Sequence, residues 1–172
     1  MRFLKIIFVI AVFASCEIVQ GQTDYLSIVE EINEQVWHPF KQAFESRNDS
    51  LFNSLHTDDM LRINELGLQL GEEYKAKIRG WKKMTEGNKI TIDFSFEHRF
   101  YNGNLGYEVG YYRVVNWLSD GNQRASYGRF HVVLIKIDGI WKISQDWDTE
   151  RVGNIMISVE FFNSGTRLKF ND

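Results

Sequence analysis

Apolar residues recur at every fourth position from Ile28 to Phe44, with charged residues between them. The repeating positions are Ile28, Ile32, Val36, Phe40 and Phe44. This period is typical of an amphipathic helix with one face on a core. Pro39 interrupts the pattern. Because proline removes a backbone donor and clashes with the preceding turn, we expect a kink or restart near Trp37.

Two further helices are predicted before residue 87. Asn48-Asp49-Ser50 supplies N-cap chemistry for a short helix from Leu51 to Leu55. Another helix follows Gly71, and charged residues lie on its other side. Its apolar face carries Tyr74, Ile78 and Trp81. The first 80 or so residues therefore indicate helical cover for a core that comes later in the chain.

After Gly87 the apolar period changes from four residues to two, which predicts strands. The first strand alternates apolar positions with polar ones and places Ile90, Ile92, Phe94, Phe96, His98 and Phe100 on one face. Further strands are predicted over residues 107–118, 125–137 and 140–148. Asp138-Gly139 is a strong signal for a tight hairpin. Short connections favour a four-stranded antiparallel meander, which should twist and curl into a cone beneath the helices.

The N-terminal segment has the pattern of a secretory signal peptide. Arg2 and Lys5 precede a short apolar run, which is too short to span a bilayer as a permanent helix. Ala14-Ser15 before Cys16 resembles a bacterial lipobox, whereas Val19-Gln20-Gly21 offers an ordinary cleavage site. We expect a signal peptide within residues 1–21 that is cleaved either before Cys16 or after Gly21. The mature protein would then be periplasmic or anchored to the membrane by a lipid.

Composition excludes several classes of protein. The chain has 172 residues, one cysteine and a formal net charge of −3. A single cysteine cannot form a disulfide scaffold, and an acidic chain lacks the basic surface that binds a phosphate backbone. We therefore expect no nucleic-acid partner and no membrane contact beyond the signal or lipid anchor. The length is that of one domain, with residues 22–150 as its main part.

Three segments resemble the nuclear transport factor 2-like superfamily in its SnoaL-like branch. They are WHPFKQAFESRNDSLFNSLHTDD (37–59), YEVGYYRV (107–114) and YGRFHVVLIKIDGIWKISQDWD (127–148). The resemblance implies an α+β fold in which a curved antiparallel sheet, covered by about three helices, encloses a pocket. It does not imply one activity, because relatives include isomerases, cyclases, dehydratases and non-catalytic modules.

Residues 151–172 depart from the pattern of that family. Ile155, Ile157, Val159 and Phe161 alternate as in a strand, and Asn163-Ser164-Gly165 predicts a turn after them. We expect an added edge hairpin that covers a surface open in relatives.

Isomerases and cyclases of this fold use a carboxylate and an oxyanion donor, and its dehydratases use histidine with aspartate. His98, His131 and Asp146 are the candidate catalytic residues here. His98 is either a hydrogen-bonded core residue or part of the pocket wall. The residues predicted to line the pocket are Trp37, Phe96, Tyr112, Arg129 and Trp147.

Asp146, Asp148 and Glu150 would lie on one side of an extended strand. That spacing suits a hard cation, but a solvated strand end explains it better because no glycine-shaped loop accompanies the acids. His38 and His56 have no zinc-site spacing. We therefore predict no metal and no cofactor.

The chain has five Trp, seven Tyr and 13 Phe, more aromatic residues than a small core needs. Tyr111, Trp117 and Phe130 cannot all lie beneath the helices, so the second face of the sheet needs a cover. The family resemblance implies a homodimer packed sheet to sheet.

Two functions are consistent with the sequence. The first is an exported binding or accessory domain whose cone holds a small apolar molecule, since no nucleophile, cofactor loop or metal cluster is evident. The alternative is a cofactor-independent lyase or isomerase that uses the pocket His and Asp residues. If His98, His131 and Asp146 lie on opposite faces of the sheet, the second hypothesis fails.

Overall fold

The computed structural model describes residues 24–82 and 86–169. The predicted signal peptide, including Cys16, lies outside these ranges. Residues 24–32 form helix α1 and belong to a first compact unit, while a second unit extends from Asn33. No helix in the two described ranges is long and apolar enough to cross a membrane.

The helices of the second unit follow the sequence pattern closely. A π-helical turn (Asn33–Trp37) leads into α2 (His38–Ser46), α3 (Asp49–Ser54) and α4 (Gly71–Arg79). The expected kink is confirmed, because the π turn ends where α2 begins and Pro39 lies in the first turn of α2. The predicted cap of α3 is also confirmed, since the Leu51 amide donates to Asn48 Oδ1 at 3.0 Å.

Seven strands form one sheet. They are β1 (His56–Asn64), β2 (Gly67–Leu70), β3 (Lys89–Asn102), β4 (Leu105–Trp117), β5 (Gln123–Ile137), β6 (Ile140–Thr149) and β9 (Thr166–Arg167), and a separate hairpin holds β7 (Arg151–Val152) and β8 (Ile155–Met156). The order in the large sheet is β2-β1-β6-β5-β4-β3-β9. Strands β3 to β6 form the predicted meander, and β1 pairs with β6 in parallel.

The α+β fold class is therefore confirmed, with helices packed on one face of a curved sheet that does not close. We call the face covered by α2, α3 and α4 the inner face, and the opposite one the outer face. The Asp138-Gly139 hairpin also forms as predicted. Both residues have positive φ, 50° and 83°, as a type I′ turn requires.

Two β-bulges change which residues point inward. In β3 the pairing shifts between Phe96 and His98, so that Arg99 and Tyr101 follow Phe96 on the inner face. In β6 the shift falls between Ile143 and Gln145, so that Asp146 and Asp148 follow Ile143 inward. The predicted inward position of His98 is wrong for this reason: the extra residue moves it to the outer face, where it is exposed.

The C-terminal segment differs from the predicted hairpin. Residues 155–161 do not form one strand, because the chain turns into helix α5 (Val159–Ser164). Ile157 and Phe162 are buried with Tyr111 on the outer face, whereas Ile155 is exposed. Packing of these two residues thus overrides the alternation in the sequence. β9 then adds to the sheet edge beside β3.

Candidate functional site

A cavity of about 410 Å³ lies between the inner face and helices α2 to α4. Aromatic side chains form most of its walls: Trp37, Phe40, Phe44, Phe52, Tyr74, Trp81, Phe94, Tyr112 and Phe130. Several of these rings contact one another, as in the Trp37–Phe94 and Phe40–Phe52 pairs, with centroids 4.8 and 4.6 Å apart. The cavity is therefore an apolar, largely preformed space of the size that small ligands occupy.

A charged cluster forms one end of this cavity. Arg62 on β1 lies opposite Asp146 on β6 in the parallel pairing. Its guanidinium donates to Asp146 Oδ2 and forms an ion pair with Asp148 Oδ1 at 2.8 Å. The side chains of Arg62, Asp146 and Asp148 are 16%, 9% and 16% exposed, so water screens them poorly.

Burial controls the protonation of this cluster. It raises the pKa of Asp146 and of Asp148 above the ordinary aspartate value, and the Arg62 charge offsets this rise only in part. Burial also disfavours the charged guanidinium, but the two carboxylates outweigh it and raise the pKa of Arg62. Arg62 is therefore a permanent cation, held between two acids that both resist ionisation.

Tyr112 joins the cluster from β4. Its hydroxyl donates to Asp148 Oδ2 at 3.2 Å, and burial with the nearby Asp148 charge raises the pKa of Tyr112. The phenol is thus a donor at every physiological pH. Its ring lies directly over Gly128 of β5, where any Cβ would overlap the ring. Glycine at 128 therefore leaves the space that Tyr112 needs.

His56 is buried beside the cavity but is not part of its wall. Its Nδ1–H donates to the Phe52 carbonyl at 2.8 Å, and its ring packs against Phe52 and Tyr74. Burial lowers the pKa of His56 from 6.5 to about 4. The neutral ring therefore stabilises the fold above about pH 6.5, and this contribution is lost as the pH falls toward 4.

A second polar cluster lies on the inner face around Glu108, which is fully buried. Its Oε2 accepts from Trp37 Nε1 at 2.6 Å, and its Oε1 accepts from Arg99 Nε at 2.8 Å and from the Tyr101 hydroxyl. The Arg99 guanidinium also lies over Phe96 at 4.1 Å and donates to Asn33. Glu108 thus connects the π turn, through Trp37, to β3 and β4.

Arg62 and Glu108 were not among the residues predicted from the sequence to form the site. A signal for Glu108 was present, because it alternates with Gly106, Gly110 and Tyr112 on the face that holds Tyr112. An acid in such a set needs a buried partner. Arg62 had no such signal, because its two partners are more than 80 residues away and on a strand that it meets in parallel.

Of the residues predicted to line the pocket, Trp37 and Tyr112 do so, together with the catalytic candidate Asp146. Phe96 is buried against the Trp37 ring at 5.3 Å but does not reach the cavity. Arg129 and Trp147 lie on the outer face, so their predicted position is wrong. The physical reason for Trp147 is the bulge in β6, which turns Asp146 inward instead.

The three catalytic candidates do not come together. His131 pairs with Val109 and Trp147 on the outer face, where its Nδ1 lies 2.5 Å from the Tyr107 hydroxyl. His98 is on that face too and is exposed. Asp146 alone faces the cavity. The lyase arrangement that required both histidines beside the acid is therefore absent from this fold.

The three alternating acids at the end of β6 also separate. Asp146 and Asp148 are buried with Arg62, and Glu150 is exposed. The solvated strand end that the sequence favoured is thus wrong for the first two, because β1 covers them. Within residues 24–82 and 86–169, no group of three or more His, Cys, Asp or Glu side chains is arranged to hold a metal ion.

Comparisons with known proteins identify the fold. No protein-family model and no curated protein matches the chain. It is similar to the structure of an NTF2-like protein with a cystatin-like fold from Novosphingobium aromaticivorans, at 13% identity and a TM-score of 0.62, over 79% of this chain and 90% of that one. An NTF2-like protein of unknown function from Shewanella oneidensis has 15% identity and a TM-score of 0.57, over 70% and 98% of the two chains.

A ketosteroid isomerase-like protein from Erwinia carotovora is similar as well, at 11% identity and a TM-score of 0.53, over 69% of this chain and 95% of that one. At identities this low, the similarity shows a common fold only. It does not extend to a common activity. The predicted nuclear transport factor 2-like, cystatin-like fold is confirmed.

Proposed function

We propose that this chain is an exported binding or accessory domain that holds a small, predominantly apolar molecule in the inner-face cavity. The observation that supports it is the cavity itself, about 410 Å³ in volume, with aromatic walls and one charged end. Aromatic walls bind by excluding water from apolar surface, and a few polar groups orient the ligand. The cluster of Arg62, Asp146 and Asp148 would supply that orientation.

A tryptophan placed in the cavity should block this binding. Val114 is a half-buried residue of the cavity wall, so Val114→Trp would fill part of the space with its indole. With the neutral dye N-phenyl-1-naphthylamine as the probe, we expect the wild-type protein to bind and enhance its fluorescence. Val114→Trp should raise the Kd at least about tenfold, a change of about 1.4 kcal/mol.

Ile140→Trp is the matched control, because Ile140 is exposed at the β5–β6 hairpin and away from the cavity. It should leave the dye Kd unchanged. Urea unfolding curves would confirm that both variants fold. A wild-type protein that does not bind the dye, or equal Kd values for the two Trp variants, would contradict the proposal.

A proton-transfer activity is the second candidate, and one observation favours it. The Asp148 carboxyl has a raised pKa, lies on an apolar cavity and accepts from the protonated Tyr112 hydroxyl. A carboxyl with a raised pKa and a neutral phenol are the groups that an isomerase of ketone substrates needs. Arg62 would hold the carboxyl in place. Analysis of bound compounds for isomerised product would distinguish catalysis from binding alone.

We also propose that the protein is a homodimer through the outer face, as expected from the sequence. The C-terminal segment covers the part of this face around Tyr111 and Phe162. The remaining part is predominantly apolar, with Gln145 beside Leu61 and Val133 and the Arg129–Glu97 ion pair next to it, and we call it the open patch. Its members are Leu61, Ile63, Leu68, Leu70, His98, Phe100, Leu105, Tyr107, His131, Val133, Ile135 and Trp147. A predominantly apolar surface can pack against its own copy with little repulsion between charges.

Sedimentation velocity at about 10 μM would test the dimer, a concentration at which interfaces of standard size are associated. Phe100 is 59% exposed in the open patch, so Phe100→Glu should yield monomers without unfolding the chain. Leu66→Glu, in the β1–β2 turn, is the control and should stay dimeric. A monomeric wild-type protein would exclude the dimer.

A further inference from the structure

The charges that line the cavity do not balance. Four charged side chains reach its wall among the described residues: Arg62, Lys77, Asp146 and Asp148. Lys77 lies on α4, is half exposed and forms an ion pair with Glu73 at 3.2 Å, so it adds no net charge to the interior. When both acids are ionised, this end of the cavity therefore holds one guanidinium and two carboxylates, a formal charge of −1.

The surrounding groups do not compensate this charge. Burial raises the pKa of Tyr74 and Tyr112 and lowers that of His56, so these three neighbouring groups are neutral. The other nearby groups, Glu65 and Glu150, are acids and supply no positive charge. Arg62 already contacts a carboxylate with each of its terminal nitrogens. An uncompensated carboxylate in a poorly hydrated site is costly, and a nearby cation removes much of that cost.

The cavity walls favour a cation for an independent reason. The faces of aromatic rings carry partial negative charge and attract ammonium groups, most strongly when the site excludes water. Tyr74, Tyr112 and Phe130 line the cavity together with Asp146 and Asp148. An organic cation would thus meet carboxylates at one end and ring faces along its length.

We infer that the ligand of the cavity is an apolar amine: its ammonium group lies beside Asp146 and Asp148, and its apolar body lies among the aromatic rings. This inference rests on the proposed binding function and specifies its chemical class. An anionic ligand would have to displace one of the two carboxylates from Arg62. A neutral ligand would leave the excess negative charge in place.

Three indole compounds of nearly equal shape would test the charge preference by isothermal titration calorimetry at pH 7. Tryptamine carries an ammonium group, tryptophol a hydroxyl and indole-3-propionate a carboxylate. We expect tryptamine to bind at least about tenfold more tightly than tryptophol, because tryptamine adds an ion pair and a cation–π contact that tryptophol lacks. Indole-3-propionate should bind most weakly.

Asp148→Asn makes the cluster neutral while conserving its shape. In this variant we expect the affinities for tryptamine and tryptophol to become equal within about twofold. Asp120→Asn removes the same charge from the exposed β4–β5 loop and should keep the wild-type preference. Comparing the two variants separates the effect of the Asp148 charge at the cavity from the effect of the protein's net charge on ligand affinity.

The outcomes distinguish the two proposals. Equal binding of tryptamine and tryptophol by the wild-type protein, or tightest binding of indole-3-propionate, would overturn the amine inference and leave the binding function standing. Binding of none of the three indoles, together with no binding of N-phenyl-1-naphthylamine, would overturn both.

Discussion

Replacing Glu108 with glutamine should lower the free energy of unfolding by about 3–5 kcal/mol, as expected when one partner of a buried ion pair is removed. Glu108 is fully buried and accepts from Trp37, Arg99 and Tyr101. Glutamine has one acceptor oxygen, and its amide would face a donor on its other side. Arg99, which is 11% exposed, would lose its carboxylate. Urea unfolding monitored by tryptophan fluorescence measures the loss.

Glu97→Gln is the matched control for this experiment. Glu97 also pairs with an arginine, Arg129, at 2.7 Å, but both side chains are partly exposed at 34% and 24%. Exposed ion pairs contribute at most about 1 kcal/mol to stability. The urea midpoint of this variant should therefore be close to that of the wild type. Similar urea midpoints for the two variants would show that Glu108 has no structural role beyond that of a surface acid.

Replacing Arg62 with methionine should have a comparable effect that depends on pH. Without the guanidinium, Asp146 and Asp148 lose their only cation among the described contacts and keep the cost of burial. At pH 7 we expect a loss of about 3–5 kcal/mol in the free energy of unfolding. Methionine fills the same apolar volume as the arginine stem, so the change isolates the charge.

The sign of the pH dependence follows from the raised pKa values. Aspartate has a pKa near 3.8 in the unfolded chain, and burial raises the pKa of both acids in the folded one. The folded state therefore binds more protons, and its stability falls as the pH rises through the raised values. Arg62→Met should be nearly as stable as the wild type near pH 4 and far less stable at pH 7.

Adding Asp146→Asn and Asp148→Asn to Arg62→Met removes the unpaired charges. The triple variant should regain most of the stability at pH 7 and lose the steep pH dependence. Circular dichroism during urea unfolding at pH 4 and pH 7 would measure the stability of each variant and its dependence on pH. An Arg62→Met loss of the same size at both pH values would mean that the acids do not cause it.

The helices and the meander could be predicted from the sequence because each depends on local periodicity. The four-residue repeat up to Phe44, the N-cap at Asn48 and the Asp138-Gly139 turn all act within a few residues. The short turns between the four long strands likewise predict their antiparallel order. These features need no knowledge of distant parts of the chain.

The site residues could be predicted only in part. A β-bulge shifts the alternation of inward-facing and outward-facing residues along a strand, so residues after the bulge change face. Alternation from Ile90 placed His98 inward, yet the bulge after Phe96 exposes it. The bulge before Gln145 has the opposite effect and moves Asp146 inward while Trp147 turns outward. Neither bulge has a glycine that marks it in the sequence.

The parallel pairing of β1 with β6 also affects the order in which the fold can assemble. Each hairpin from β3 to β6 closes over a short turn, whereas Arg62 meets Asp146 only after a loop of more than 80 residues has closed. Contacts so distant in sequence carry a large loop-closure entropy, which favours their formation late in folding. We therefore expect strands β1 and β2 and helix α4 to dock on the meander last during folding, so that the aromatic interior is enclosed only in the final step.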